Sequence, residues 1–288
     1  MKSIKKVFIS GVTGKQGGAL ARNLLNSEIQ LYGLTRNKGS VKAIELQKSG
    51  LTIVEGDLDK PDLFSEHLEG IDVYFLVQAF EQGAKSEIEQ AKKIIDLVCD
   101  KGVKHLVYSS VMGADLNTGV PHFDSKYVIE KYIHQKGIDY TILRPASFNE
   151  NYLNPEVLKR LKKGKLVLPL NKNVVQQLIS TEDVGKIASQ VIRNISKYKN
   201  KTMSLATDEK SVTEQAKSFS KGLGMDIAYQ KLPGIFTLLF MGKDLYKMFG
   251  YMNKNNFVVV KNIEEVKKEF DGLGDLDHWI QTSFKNQI

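Results

Sequence analysis

Along the first 145 residues, short β-rich apolar runs alternate with stretches of helical period. The candidate strands are Lys6–Ser10, Leu31–Thr35, Thr52–Glu55, Val73–Leu76, Leu106–Ser109 and Thr141–Leu143. Helical patterns fill the gaps at Gly17–Asn26, Val41–Ser49, Pro61–Leu68, Glu87–Lys101 and Asp124–Lys136. Strand runs separated by helix-length segments predict an α/β fold, a doubly wound parallel sheet with helices on both faces. Such a sheet binds ligands at the carboxyl ends of its strands.

After Pro145 the alternation fails. Pro155-Glu156-Val157-Leu158 reads as a helix start, Lys165–Leu170 as an extended run and Thr181–Asn194 as a helix. Ser180 is the N-cap expected for that helix, with Asp183 three residues on. Met203–Ala206 reads as a strand, Val212–Gly222 as a helix ended by Gly222, and Gly234–Met252 as a helical region rich in Phe, Met and Tyr. There Met241, Met248, Phe249, Tyr251 and Met252 recur at helical spacing, which favours a core face over a pocket wall. Trp279 reads as a packing anchor. No repeat or Gly/Ser linker marks a boundary. The expected organisation is a domain over 1–150, joined by part of 174–206, with a smaller α/β substrate or partner lobe over 151–288.

Charge changes the picture only locally. The 288 residues carry 41 Lys+Arg against 33 Asp+Glu, a formal +8. Residues 1–150 hold 19 of each sign, whereas 157–201 hold 11 basic and 2 acidic side chains. That surplus reads as a solvated basic face ending a helix, or as a dock for an acidic partner. No helix-turn-helix, RNP or zinc signature points to nucleic acid. The single cysteine, Cys99, excludes a disulfide framework and any cysteine-based metal site, and fits a reducing compartment. His67, His105, His134 and His278 share no metal-ligand spacing, so no metal site is expected. The apolar run in MKSIKKVFIS is too short for a secretory signal, and Ile235–Met241 falls far short of the ~20 residues that cross a bilayer. The expectation is a cytoplasmic chain with no membrane partner.

The first strand runs into Ser10-Gly11-Val12-Thr13-Gly14-Lys15-Gln16-Gly17-Gly18 and then directly into a helix. Glycine lets the chain turn sharply and the backbone approach a pyrophosphate, while the helix start offers free N–H groups and a positive dipole end. The spacing is GxxGxxG, and its strand–turn–helix context marks a dinucleotide loop. Arg36 ends the second strand, 19 residues past Gly17. A carboxylate there would select NAD; an arginine pairs with a 2′-phosphate, so Arg36 points to NADP, with Lys38 as a helper. The plain alternative is a solvated surface arginine. Asp57 fits either an acceptor for the adenine amino group or a helix N-cap before Pro61.

Together Gly11–Gly18, Thr35-Arg36-Asn37, Gly56-Asp57 and His122-Phe123-Asp124-Ser125-Lys126 resemble the NmrA-like family, atypical short-chain dehydrogenase/reductases. The likeness continues through Arg144-Pro145, Phe148-Asn149-Glu150-Asn151 and Asp244–Phe249, nearly the whole chain. The resemblance implies a Rossmann domain binding NADP(H) and a smaller lobe closing over the nicotinamide. It also assigns roles. Gly11, Thr13, Gly14, Lys15, Gln16 and Gly17 would line the pyrophosphate and Arg36 the 2′-phosphate. Asp57 and Leu58 would flank the adenine, and Val77, Gln78 and Ala79 would run along the ribose. Lys126 would hold the nicotinamide ribose, with Ser147 and Phe148 near the nicotinamide.

The superfamily's proton donor is a Tyr four residues before that Lys; here His122 holds the position. The literal YxxxK pair, Tyr127 and Lys131, is set aside, because Lys131 points about 140° away from the Lys126 face. Ser110 would have to replace the catalytic Ser or Thr, since Val111 stands at its place. His122 is thus either a proton donor, as imidazole titrates near neutral pH, or a purely positional ring. A quinone-like acceptor needs alignment more than a strong acid, so reduction does not require the Tyr. Two functions follow: an NADPH-dependent reductase of a small quinone-like or carbonyl acceptor, or a non-catalytic NADP(H) sensor acting through a protein partner.

Overall fold

The computed structural model describes residues 4–80 and 83–287. In chain order the first elements are β1 (Lys6–Ile9), α1 (Lys15–Leu24), β2 (Gln30–Thr35), α2 (Val41–Lys48), β3 (Thr52–Glu55), β4 (Val73–Leu76), α3 (Gly83–Asp100), β5 (His105–Ser109), α4 (Pro121–Lys136) and β6 (Asp139–Pro145). Then come β7 (Ser147–Phe148), α5 (Pro155–Leu161), β8 (Lys165–Leu168), β9 (Val175–Ile179), α6 (Thr181–Arg193), α7 (Ile195–Tyr198) and β10 (Lys201–Leu205). The last are β11 (Asp208–Ser211), α8 (Val212–Leu223), β12 (Ala228–Lys231), α9 (Gly234–Asn255), α10 (Ile263–Glu269) and α11 (Leu276–Trp279).

The fold is the expected α/β class. A seven-stranded sheet has the order β10-β6-β5-β4-β1-β2-β3, and every pairing from β3 to β6 is parallel. Its central strands are buried on both faces, which is why Val7, Phe8, Ile9 and Val73 to Leu76 read as unbroken apolar runs. The chain winds from β1 to β2 and β3, then returns to β4 on the other side of β1. Strand order therefore reverses between β1 and β4, and a crevice opens at their carboxyl ends.

By packing, the described residues form two units. One comprises the chain up to Asp115, His122–Arg144 and Glu182–Met203; the other comprises Leu116–Pro121, Pro145–Thr181 and the chain from Ser204 onward. In the second, β9 pairs with β7 and antiparallel β11, and β8 pairs with β12. Trp279 is buried there beside the rings of Tyr152 and Phe284. The basic stretch 157–201 is divided between the units. In the first, Arg193 donates to the Asn23 carbonyl at 2.8 Å and Lys199 pairs with Asp139 at 2.7 Å.

Three local expectations are corrected. Pro61–Leu68 winds as a 3₁₀ helix, short and opened by its proline. Helix α8 ends on Gly224 in the left-handed region (φ 67), not on Gly222. Gly222 lies inside the helix, where a Cβ would stand 2.4 Å from the Ile280 side chain. A capping box between Ser211 and Glu214 starts that helix. The third concerns α9: of Met241, Met248, Phe249, Tyr251 and Met252, only Met252 is buried, so this helix has no continuous core face. Among the described residues no helix is long and apolar enough to cross a membrane.

His105 is a buried core histidine. Thr141 gives its hydroxyl hydrogen to the Tyr198 carbonyl at 2.9 Å, so the histidine Nε2, 2.9 Å from Thr141 Oγ1, is the donor. Burial pushes its pKa down to about 4. Below its ordinary pKa of 6.5 the unfolded chain takes up a proton that the folded chain refuses, so stability is full above that pH and drains as pH falls toward 4. Urea unfolding at about pH 5 should show a loss of about 2 kcal/mol relative to neutral pH. In His105→Gln this part of the pH dependence should vanish.

Candidate functional site

The glycine loop takes its shape from close backbone contacts. Gly11 adopts φ 58, and the Gly14 N–H donates to the Gly11 carbonyl at 2.9 Å. Gly14 is the N-cap of α1. A Cβ on Gly17 would lie 2.5 Å from the Gly11 carbonyl oxygen and 2.8 Å from that of Ser10. Only glycine allows α1 to start this near the end of β1. Ser10 fixes the neighbouring strand, since its Oγ accepts from the Val77 N–H at 2.8 Å. Helix α1 is held from behind by α6. Arg22 and Asn23 reach Glu182 at 2.6 Å and 2.8 Å, and a Cβ on Gly185 would be 2.5 Å from Ala19 Cβ.

Above this loop lies a cavity of about 460 Å³ within the first unit. Each carboxyl-end loop contributes: Gly11, Thr13 and Gly14 after β1, Arg36 and Asn37 after β2, Asp57, Leu58 and Asp59 after β3, and Val77 and Ala79 after β4. Arg36 is exposed at the rim, while Lys38 pairs with Glu55 at 3.3 Å. Asp57 is no helix cap. Its carboxylate accepts from the Asp59 N–H at 3.0 Å in a tight turn, and the residue before the 3₁₀ helix is Lys60.

Other expected residues lie outside the cavity wall. Gln16 accepts a hydrogen bond from Ser109 Oγ at 2.6 Å, and Gln78 donates to Gln90 at 2.8 Å, which in turn donates to Asp59 at 2.7 Å. Lys15 and Gly17 belong to the helix start behind the loop. Ser147 and Phe148 form β7 of the second unit.

Lys126 is buried and does not line the cavity itself, but it touches a residue that does. Its ammonium stands 2.8 Å from a carboxylate oxygen of Glu87, a wall residue that is itself 3% exposed. Ser125 donates to the other Glu87 oxygen at 2.6 Å. Lys131 lies over the Tyr127 ring and is exposed, as expected. Glu87 was not among the residues expected at the site.

Ser110, the residue expected to stand in for the catalytic hydroxyl, is buried and already engaged. Ser109 and Ser110 point to opposite faces at the end of β5, and Ser110 Oγ donates to Glu130 at 2.5 Å. Glu130 is fully buried and holds Arg144 through two bonds, at 2.9 Å and 2.5 Å, while Asp115 takes the remaining guanidinium nitrogen at 2.6 Å. Burial alone would lower the Arg144 pKa, but its bonds to Glu130 and Asp115 carry it above the ordinary value. Tyr108 on the same strand offers no acid either; burial, then Glu87 and Glu130, push its phenol well above 10. His122 is half-buried one helical turn before Lys126, its ring 4.5 Å from Phe123 and 5.6 Å from Phe80.

Comparison with known proteins places the chain. The model of the NmrA-like family matches residues 3–280. An NmrA-like family domain-containing protein of Dictyostelium discoideum is 27% identical over 242 residues, 78% of this chain and 80% of that protein. Quinone oxidoreductase 2 of Escherichia coli is 25% identical over 229 residues, 78% of this chain and 77% of that one. The solved structure of NmrA, a negative transcriptional regulator in complex with NADP, shares the fold with a TM-score of 0.80 at 20% identity, over 99% of this chain and 97% of that chain.

Proposed function

The chain belongs to the NmrA-like family, and from that premise we propose that it is an NADPH-dependent reductase of a small quinone-like or carbonyl acceptor. The observation that carries the reading is the cavity over the glycine loop, whose wall includes Arg36 and Glu87, the latter paired with the buried Lys126 behind it. Its volume of about 460 Å³ and the Cβ-free approach at Gly17 fit a dinucleotide lying on backbone. The similarity to a quinone oxidoreductase supports the acceptor class.

When bound, the cofactor supplies a hydride. The loop Gly11–Gly17 and the start of α1 hold the pyrophosphate, and Arg36 pairs with the 2′-phosphate. Asp57 and Leu58 flank the adenine, and Val77 and Ala79 follow the ribose. Lys126 orients the nicotinamide ribose, its ammonium held in place by Glu87. In this reading His122, half-buried one helical turn before Lys126, gives a proton to the reduced acceptor.

Calorimetric titration with NADPH and NADH tests the cofactor assignment. Arg36→Ala should weaken NADPH binding about tenfold or more, the worth of a charge-assisted pair, and leave NADH unchanged. Equal losses for both would remove the 2′-phosphate from Arg36. NADPH oxidation with a panel of quinones, aldehydes and azo or triphenylmethane dyes tests the reaction. The second reading, an NADP(H) sensor without turnover, draws on the absent Tyr and the lysine already engaged by Glu87. Tight NADPH binding with no turnover across the panel would favour it.

A further inference from the structure

A surface helix of a water-soluble chain turns polar residues outward and apolar ones inward. The segment Gly234–Met241 of α9 does the reverse. Its polar residue, Thr237, is 1% exposed, whereas Ile235, Phe236, Leu238, Leu239, Phe240 and Met241 are all exposed, Leu239 at 67% and Phe240 at 79%. Phe236 and Phe240 stack at 6.1 Å and give the tip a broad aromatic surface. At about 100° per residue these side chains spread around the helix axis instead of forming one stripe. A protein groove takes a stripe spaced i, i+3, i+4; a fluid apolar medium takes every side at once.

The charge around the segment narrows the medium. Lys231 precedes it, and Gly242 (φ 82) breaks the helix before Lys243 and Lys247, all three lysines being exposed. From 231 to 262 the chain carries five lysines and one aspartate. An apolar segment flanked on both sides by exposed lysines matches an acyl boundary below anionic headgroups. At 1.5 Å per residue the segment is about 12 Å long against a hydrocarbon core of about 30 Å, so it can lie in an interface but not span it.

We propose that Gly234–Met241 is a membrane-surface anchor that seats on an anionic bilayer. The inference is independent of the cofactor, because it concerns partition and not turnover. The full chain should co-sediment with vesicles of equimolar phosphatidylcholine and phosphatidylglycerol, and far less with phosphatidylcholine alone. Leu239→Ser with Phe240→Ser should lower the partition coefficient at least tenfold, since each side chain loses most of its transfer energy. Both side chains are exposed, so the thermal midpoint should stay at the wild-type value. Lys243→Glu with Lys247→Glu should also cost at least tenfold, and added salt should mimic that loss. No binding to anionic vesicles, or binding indifferent to the Leu239 and Phe240 changes, would overturn the proposal. So would a dimer in analytical ultracentrifugation that those changes dissociate, which would assign the face to a second copy of the chain.

Discussion

Glu130→Ala is expected to cost the fold about 3–5 kcal/mol, a large share of the 5–15 kcal/mol that holds a typical domain together. The carboxylate is fully buried, receives the Ser110 hydroxyl and binds Arg144 through two guanidinium nitrogens. Truncating it leaves Arg144 largely desolvated, with Asp115 as its remaining ion-pair partner among the described residues. Glu130→Gln should lose nearly as much, because it keeps the shape and removes the charge. Replacing Glu130 and Arg144 together by methionine should restore much of the loss, since a buried ion pair is worth little against apolar residues of similar volume. Ser110→Ala should cost about 1.5–3 kcal/mol, the range for a hydrogen bond to a charged group. Urea unfolding midpoints measure all four. A wild-type midpoint for Glu130→Ala would mean that this cluster does not hold α4 against β5 and β6.

The same cluster shows how far the sequence could be read. Strand β4 begins and ends where its apolar run does, because a strand buried on both faces has no other pattern to offer. Strand β9 was missed, because Gln176 and Gln177 interrupt its apolar residues. Both are buried, and Gln177 spends its amide on the backbone of Val259 and Val260 at 2.7–3.0 Å. Its neighbour β11 is wholly polar. Such pairings depend on partners about 30 to 80 residues away along the chain, which local pattern does not record.

At the candidate site, backbone constraints were legible and side-chain partnerships were not. A glycine forced by close approach leaves its residue type in the sequence, as at Gly11 and Gly17; the partner of Lys126 leaves none near Lys126. A signal for Glu87 did exist. It lies on the inner stripe of α3 with Ala91, Ile94, Ile95 and Val98, a carboxylate in line with core residues. Glu130 repeats the signature beside Ile129 and Ile133 on α4. A charge on an apolar stripe must find a buried counter-charge or hydrogen bonds, so it announces a partner without naming it. Gly185, by contrast, looked like any helix glycine until α6 was seen packed on Ala19.

Gly17→Ala tests whether the loop is the phosphate seat. The added methyl would lie 2.5 Å from the Gly11 carbonyl oxygen and 2.8 Å from the Gly11 carbonyl carbon and the Ser10 oxygen. All three are backbone atoms, so no side chain can swing aside and the start of α1 must move away from β1. Overpacking of this kind costs about 1–3 kcal/mol, and the chain should still fold. Binding should suffer far more. A shift of about 1 Å misaligns the helix N–H groups with both phosphates, so NADPH affinity should fall at least a hundredfold, the scale on which such misplacement is felt. The rise in melting temperature given by excess NADPH should disappear with it. Gly250→Ala is the control. Nothing lies within 4 Å of its Cβ position, its backbone is helical, and replacing an exposed helix glycine should raise stability by up to about 1 kcal/mol with NADPH affinity unchanged. Wild-type NADPH affinity in Gly17→Ala would place the phosphates elsewhere and remove the glycine loop from the site.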